Sequence, residues 1–377
     1  MQTKEAPENT LTQIIAEQFI AENATIDLSE FKWIEDNAAE CLSKFGGNLK
    51  LDGLTYISDA AAESFSRHDW EISLNGLISL SDNAAESLCK HECEVYLNGI
   101  TSLSEKSAES LSNRIRGSLW LCGLTNLSLG VAEKLRTHGG TGLFFEALTS
   151  ISDDVAESLS KYQGSGLHLR GLASISDKGV ESLSKYDGGL SLGLARISEA
   201  AAESLGKHKG KLWLNSLKTC SDTEAERLSK HDGWLQLNSL TSLTDRAAAS
   251  FGSHRGMLLL NGLRNISDVA AERLANQQGI LELNGLSSIS DSAAESFSKH
   301  KWSLSLNGLT SLSNDAANKL GDHRGDLELN GLTMLSEHAA ESLSKHTGAL
   351  ELNNSMKLSS GAEKSLNRND GIVFSKH

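Results

Sequence analysis

Residues 281–301 read LELNGLSSISDSAAESFSKHK, and the chain returns to this pattern fifteen times. No other feature limits the possible folds so strongly. A period of this length is the mark of a solenoid, which grows by stacking small units and not by enlarging one core. The length of 377 residues therefore does not imply two or three separate globular domains. The template is an L-x-L segment, then N-G-L, an aliphatic, S-D, A-A-E-S-L/F, and S-K-H before the next segment. Its leucines fall at Leu28, Leu51, Leu74, Leu97, Leu121, Phe145 (in the leucine position), Leu169, Leu192, Leu214 and onward to Leu352. Most steps are 23 residues. They lengthen to 24 from Leu97 to Leu121, Phe145 and Leu169, and shorten to 22 from Leu192 to Leu214.

Each unit reads as one strand and one helix. Ile72 and Leu74 alternate with Glu71, Ser73 and Asn75, the period-2 pattern of a half-buried strand. Ser81-Asp82 opens the helix with an N-cap residue and a carboxylate at the positive helix end. Ala84, Ala85 and Leu88 share one face, and alanine there lets the helix backbone come close to the strands. Gly76 stands at a turn position where a Cβ is unwelcome. Stacking buries about five large aliphatics per unit, at roughly 1.5–3 kcal/mol each.

The string LxLNGLxxLSDxAAExL resembles the cysteine-containing class of leucine-rich repeat, LxLxxCxxITDxGLxxL. Ile175-Ser176-Asp177-Lys178-Gly179-Val180 with Leu183 is the nearest local match. The resemblance covers residues 25–374. Leucine replaces the buried Cys/Asn of that class, as at Leu77 and Leu286, and the link from helix to strand is shorter. The resemblance implies an α/β solenoid of about fifteen repeats, with a parallel sheet on the concave face and short helices on the convex face. It also carries a bacterial source and a binding role as expectations, without naming a ligand. The expected divisions are an N-terminal helical cap over 1–24 with Thr10 as N-cap, the solenoid over 25–371, and a partial final strand over 372–377.

A net charge of -14 argues against non-specific binding to nucleic acid or anionic membranes. No apolar run is long enough to span a membrane, and no secretory signal is visible at the polar N-terminus. Five cysteines form no even framework, which points to free thiols and a cytoplasmic location. Ile372, Val373 and Phe374 form an open strand edge, the place where end-to-end self-association is expected.

No P-loop, G-x-S-x-G, G-x-G-x-x-G or H-E-x-x-H occurs, so a non-enzyme without cofactor is expected. Cys89, His91 and Cys93 have a spacing that a metal would accept, but each also has an ordinary place in the repeat, and no metal is assigned. Nine histidines, from His68 to His346, recur at the helix C-terminal end, where they are expected to cap carbonyls and to loosen or tighten the stack as they titrate near pH 6–6.5. The recurring Asn of N-G makes a second ladder of stacked amides.

The sharpest signal lies where the repeats differ. The outward residue of successive strands includes Tyr96, Trp120, Phe144, His168 and Trp213, with Trp234 nearby, in a chain of only 5% aromatic content. Over the same repeats the Asn ladder gives way to Cys122, Glu146 and Arg170, and the period breaks. Glu146 and Arg170 stand on neighbouring strands and can pair. This patch is the expected binding surface for a protein or peptide. Relaxed drift of the repeats, a purely structural spacer and a carbohydrate surface on the aromatic stripe are the competing readings. An acidic surface at Glu282, Asp326, Glu328 and Glu351 is placed to steer a basic partner.

Overall fold

The computed structural model describes residues 7–22, 24–113 and 117–375. The chain divides into two compact units, 1–192 and 193–377, and the boundary falls where the repeat step shortens to 22. Both are α/β solenoids.

In the first unit a two-stranded parallel sheet pairs β1 (Thr10–Leu11) with β2 (Trp33–Ile34). The main ladder follows: β3 (Leu49–Lys50), β4 (Ile72–Ser73), β5 (Val95–Tyr96), β6 (Ser118–Trp120), β7 (Gly142–Phe144), β8 (Gly166–Leu169) and β9 (Gly189–Leu192). All neighbours are parallel and in repeat register, as in Trp120 opposite Phe144 and Phe144 opposite His168. The second unit carries β10 (Leu212–Trp213), β11 (Leu235–Gln236), β12 (Leu258–Leu259), β13 (Leu281–Glu282), β14 (Leu304–Ser305), β15 (Leu327–Leu329), β16 (Leu350–Asn353) and β17 (Ile372–Ser375). Helices of seven or eight residues alternate with the strands, as at Asp82–Leu88 and Asp291–Ser298.

The core follows the template. Leu281, Leu283, Leu286, Ala293, Ala294 and Phe297 of one repeat are all essentially inaccessible. Leu77 and Leu286 occupy the buried position where the resembled class has Cys or Asn. The glycine of N-G is required by a close approach and not by a left-handed backbone. A Cβ on Gly285 would lie 2.3 Å from the Asn261 carbonyl oxygen and 2.5 Å from that of Leu263, both backbone atoms of the preceding repeat.

Two expectations at the N-terminus are corrected. The first helix is Gln13–Ala21, and its N-cap is Thr12, whose hydroxyl accepts the Ile15 N–H; Thr10 is in β1. Leu28 is buried, but it opens a 3-10 turn, Leu28–Glu30, and not a strand. The Asp27 carboxylate takes the Ser29 N–H at 2.9 Å and so curls the backbone away from a ladder.

Three files of hydrogen bonds, each interrupted in places, tie repeats to their successors. In the first, an Asn side chain accepts the backbone N–H of its successor: Asn261 Oδ1 from Asn284 at 2.9 Å, Asn284 from Asn307 at 2.8 Å, Asn307 from Asn330 at 2.8 Å. The bonds are thus amide to backbone, where stacking of side-chain amides was expected. In the second, the Asp at the first helical position accepts the N-cap hydroxyl of the following repeat. Ser81 donates to Asp59 and Ser104 to Asp82, both at 2.5 Å, while Ser104 Oγ accepts the Ser107 N–H. These bonds from Ser81 and Ser104 hold the Asp59 and Asp82 carboxyls below their usual range. The third file is histidine. His68 Nδ1 lies 3.2 Å from the Ser43 carbonyl and His300 Nδ1 3.2 Å from that of Ala275, in each case the C-cap residue of the preceding helix. Capping occurs, but across the repeat boundary.

Asn284→Ala removes the acceptor for the part-buried Asn307 N–H. A loss of about 1–3 kcal/mol is expected, read by urea unfolding. Gly285→Ala meets backbone on two sides and is expected to cost about 3 kcal/mol or more by the same measurement.

Candidate functional site

The outward residues of β5 to β8 stand in one row because the ladder is in strict repeat register. Tyr96 lies opposite Trp120, Trp120 opposite Phe144, and Phe144 opposite His168. At a strand spacing of about 4.8 Å, flat side chains in such a row either splay or stack. Here they stack. Trp120 and Phe144 have ring centroids 3.8 Å apart with planes 10° from parallel, and Phe144 and His168 are 4.2 Å apart at 8°. Tyr96 joins at 6.0 Å and 46°. Each ring is half-buried.

The reason for stacking lies two residues earlier in each strand. Gly142 and Gly166 precede Phe144 and His168, and a Cβ on either glycine would fall 2.8 Å from the ring it precedes. The glycines form a trough into which the rings lean. Ser118 fills the same place before Trp120 and shares a 2.8 Å hydrogen bond with Thr141. This glycine spacing was present in the sequence as G-L-F and G-L-H, and it is the signal that the outward-residue comparison passed over.

Phe144 has a ring against each face, so only its rim meets solvent. His168 is held neutral, its pKa pushed down to about 4 by burial first and by the Arg170 charge second. Burial, with Glu71 and Glu94 nearby, raises the Tyr96 hydroxyl. Beside the stack, Arg170 Nη1 lies 3.7 Å from Glu146 Oε1, with both side chains about half exposed, so the expected pair forms. Such a pair contributes at most about 1 kcal/mol. Cys122 completes the edge. Burial and Glu146 push its thiol up to about 11, so it stays protonated at neutral pH.

Trp213 and Trp234 lie in the second unit and pair with each other, centroids 6.4 Å apart at 53°. Lys211 Nζ sits 4.6 Å from the Trp234 ring centre, a cation–π contact that the sequence reading did not include. The acidic residues are drawn into the Asn file: Glu282 accepts from Asn261, Glu328 from Asn307 and Ser305, and Glu351 from Asn330. Cys89 and Cys93 each donate to a backbone carbonyl, of Glu86 and Asp69. Among the described residues no three His, Cys, Asp or Glu side chains gather as a metal site, and no helix is long and apolar enough to cross a membrane.

No protein-family model matches the chain, and no curated protein does. Solved structures do. A chain from the Toll–Spatzle complex of Drosophila aligns with a TM-score of 0.51 at 14% identity, over 87% of this chain and 47% of that one. The chain has the leucine-rich repeat fold. It spans about half the length of that Drosophila chain. A leucine-rich repeat protein of Leptospira interrogans matches at 17% identity and TM-score 0.49, over 95% of this chain and 98% of that one. An internalin of Listeria monocytogenes matches at 15% identity and TM-score 0.41, over 96% and 95%. Within this leucine-rich repeat fold the parallel strands and the helices take the places that the repeat pattern assigns them.

Phe144→Ala removes the ring between Trp120 and His168. A loss of about 1–3 kcal/mol is expected from two stacked contacts. The exposed His168 should then titrate closer to its ordinary pKa of 6.5, which an NMR pH titration of its ring protons reads.

Proposed function

We propose that this chain is a non-catalytic scaffold that binds another protein or peptide through the sheet face of its first unit. The contact is centred on Tyr96, Trp120, Phe144 and His168, with Glu146 and Arg170 at its edge. One observation carries the reading: four half-exposed rings form an unbroken row in a leucine-rich repeat whose other outward positions are mostly small or polar. A rigid aromatic row loses little conformational entropy on binding and offers a large contact area, the qualities of an interface hot spot. The exposed Glu146–Arg170 pair supplies direction without a large desolvation cost, since both groups keep access to water.

The geometry favours a protein over a sugar. A sugar ring packs on a free aromatic face, and Phe144 has none. Ring rims with a charged pair beside them suit a peptide or a protein loop better. Trp213, Trp234 and Lys211 form a smaller aromatic group on the second unit and are assigned to the same role there.

The test compares protein partners recovered by the wild-type chain with those recovered by Trp120→Ala/Arg170→Glu and by Trp213→Ala. Partners specific to the wild type and lost at least tenfold with the first variant support the reading. Equal recovery with all three chains sinks it and leaves a spacer as the better account. A glycan array run alongside should show no hits; binding that is lost with Trp120→Ala would put the sugar reading first.

A further inference from the structure

Leucine and asparagine explain how the repeats are held, but neither explains why a buried slot behind each helix is filled by an ionisable ring. In the second unit the slot holds His208, His231, His254, Gln277, His300, His323, His346 and Asn369 in successive repeats. The six imidazoles are almost wholly buried. Their rings are stacked in two runs. His208, His231 and His254 have centroids 6.1 and 6.0 Å apart, and His300, His323 and His346 are 6.1 and 5.9 Å apart, with planes within 19° of parallel throughout. The first unit is different, since Tyr162 and Tyr186 fill two of its slots.

The slot of His231 is shaped for a neutral group, while backbone carbonyls around His254, His300 and His346 only partly offset the effect of their burial. His231 Nε2–H donates to the Gly210 carbonyl at 2.9 Å, and His254 Nε2–H to that of Gly233 at 3.1 Å. A second proton on His231 would fall on Nδ1, which is buried and has no hydrogen-bond partner among the described residues. Charging neighbouring rings also places like charges about 6 Å apart. Few acids face the file. Asp232 lies near His231 and Asp326 near His346, while Lys230 and Arg255 line the crevice beside His231.

We infer that this file is an acid-sensitive latch: neutral imidazoles hold the second unit together, and the unit comes apart when they take up protons. Burial, reinforced by neighbouring imidazoles, holds His231 and His323 at about 4, and burial lowers His254, His300 and His346 as well. In the unfolded chain the same rings titrate near 6.5. As pH falls, the unfolded chain binds protons first. The stabilisation is therefore complete above about pH 6.5, declines below it, and is lost by about pH 4. The change expected near pH 6–6.5 from sequence is moved downward by burial.

The chain contains its own control. Gln277 occupies the slot between the two histidine runs, is fully buried, and its Nε2 donates to the Gly256 carbonyl at 2.5 Å, the bond that His231 and His254 make in their own repeats. The slot thus accepts a glutamine, which does not titrate. The experiment is thermal melting of the full chain, followed by circular dichroism, from pH 7.5 to 4.5, for the wild type and for His231→Gln/His323→Gln. Stopping at pH 4.5 keeps the lowered carboxyls of Asp59 and Asp82 charged, so the relay along the helix N-termini stays intact. The wild type should lose about 5 °C or more across this range, and the variant at most half as much. An equal loss in both chains, or none in the wild type, overturns the latch. Should the variant fail to fold at pH 7.5, NMR titration of the wild-type imidazoles decides. Rings that stay neutral down to the pH of unfolding support the latch, and rings that all titrate near 6.5 in a chain that stays folded refute it.

Discussion

Everything in this structure depends on one repeat covering the apolar face of the next. A strand of two residues and a helix of eight cannot bury Leu281, Leu283, Leu286 and Phe297 by themselves. The stack does so at a fixed spacing, and that spacing then multiplies any residue the template repeats. An asparagine becomes a file of amide-to-backbone bonds, a serine–aspartate pair becomes a relay along the helix N-termini, and a histidine becomes a column of rings. The files are consequences of the packing and also its register marks, since a slip of one residue would break all of them at once.

The same multiplication makes departures from the template conspicuous. Between β5 and β8 the outward side chains are large and flat, and the strict register turns them into a stack and not a set of scattered rings. Glycine at the start of β7 and β8 gives the rings a place to lean. Leucine-rich repeat packing supplies the frame; the broken template supplies a surface unlike the rest of the first unit.

Burial separates the two roles that histidine has here. His168 sits among rings at the sheet surface, with an arginine beside it, and is kept neutral by burial first and by that charge second. The histidines of the second unit sit buried behind the helices and bond backbone carbonyls of the preceding repeat, of Gly210 and Gly233 for His231 and His254 and of Ala275 for His300. Both environments depress protonation, and the inferred latch belongs only to the second.

The sequence by itself determined the period, the alternation of strand and helix, the serine caps such as Ser81, the buried leucine column and the aromatic row. These are legible because each follows from local spacing repeated many times. It also showed Glu146 and Arg170 close enough to pair. Tertiary structure decided what local spacing cannot. Leu28 is buried in a 3-10 turn because Asp27 competes for the backbone. The asparagines bond to the backbone of the next repeat because the N–H arrives there and the amide does not. The rings stack because glycines two residues back leave room, and the histidines remain neutral because neighbouring repeats exclude water. For the asparagines and histidines the deciding contact comes from a residue about 23 positions away or from solvent removed by it, while the Asp27 bond and the glycine trough are local departures from the template whose effect shows only once the strands are in register.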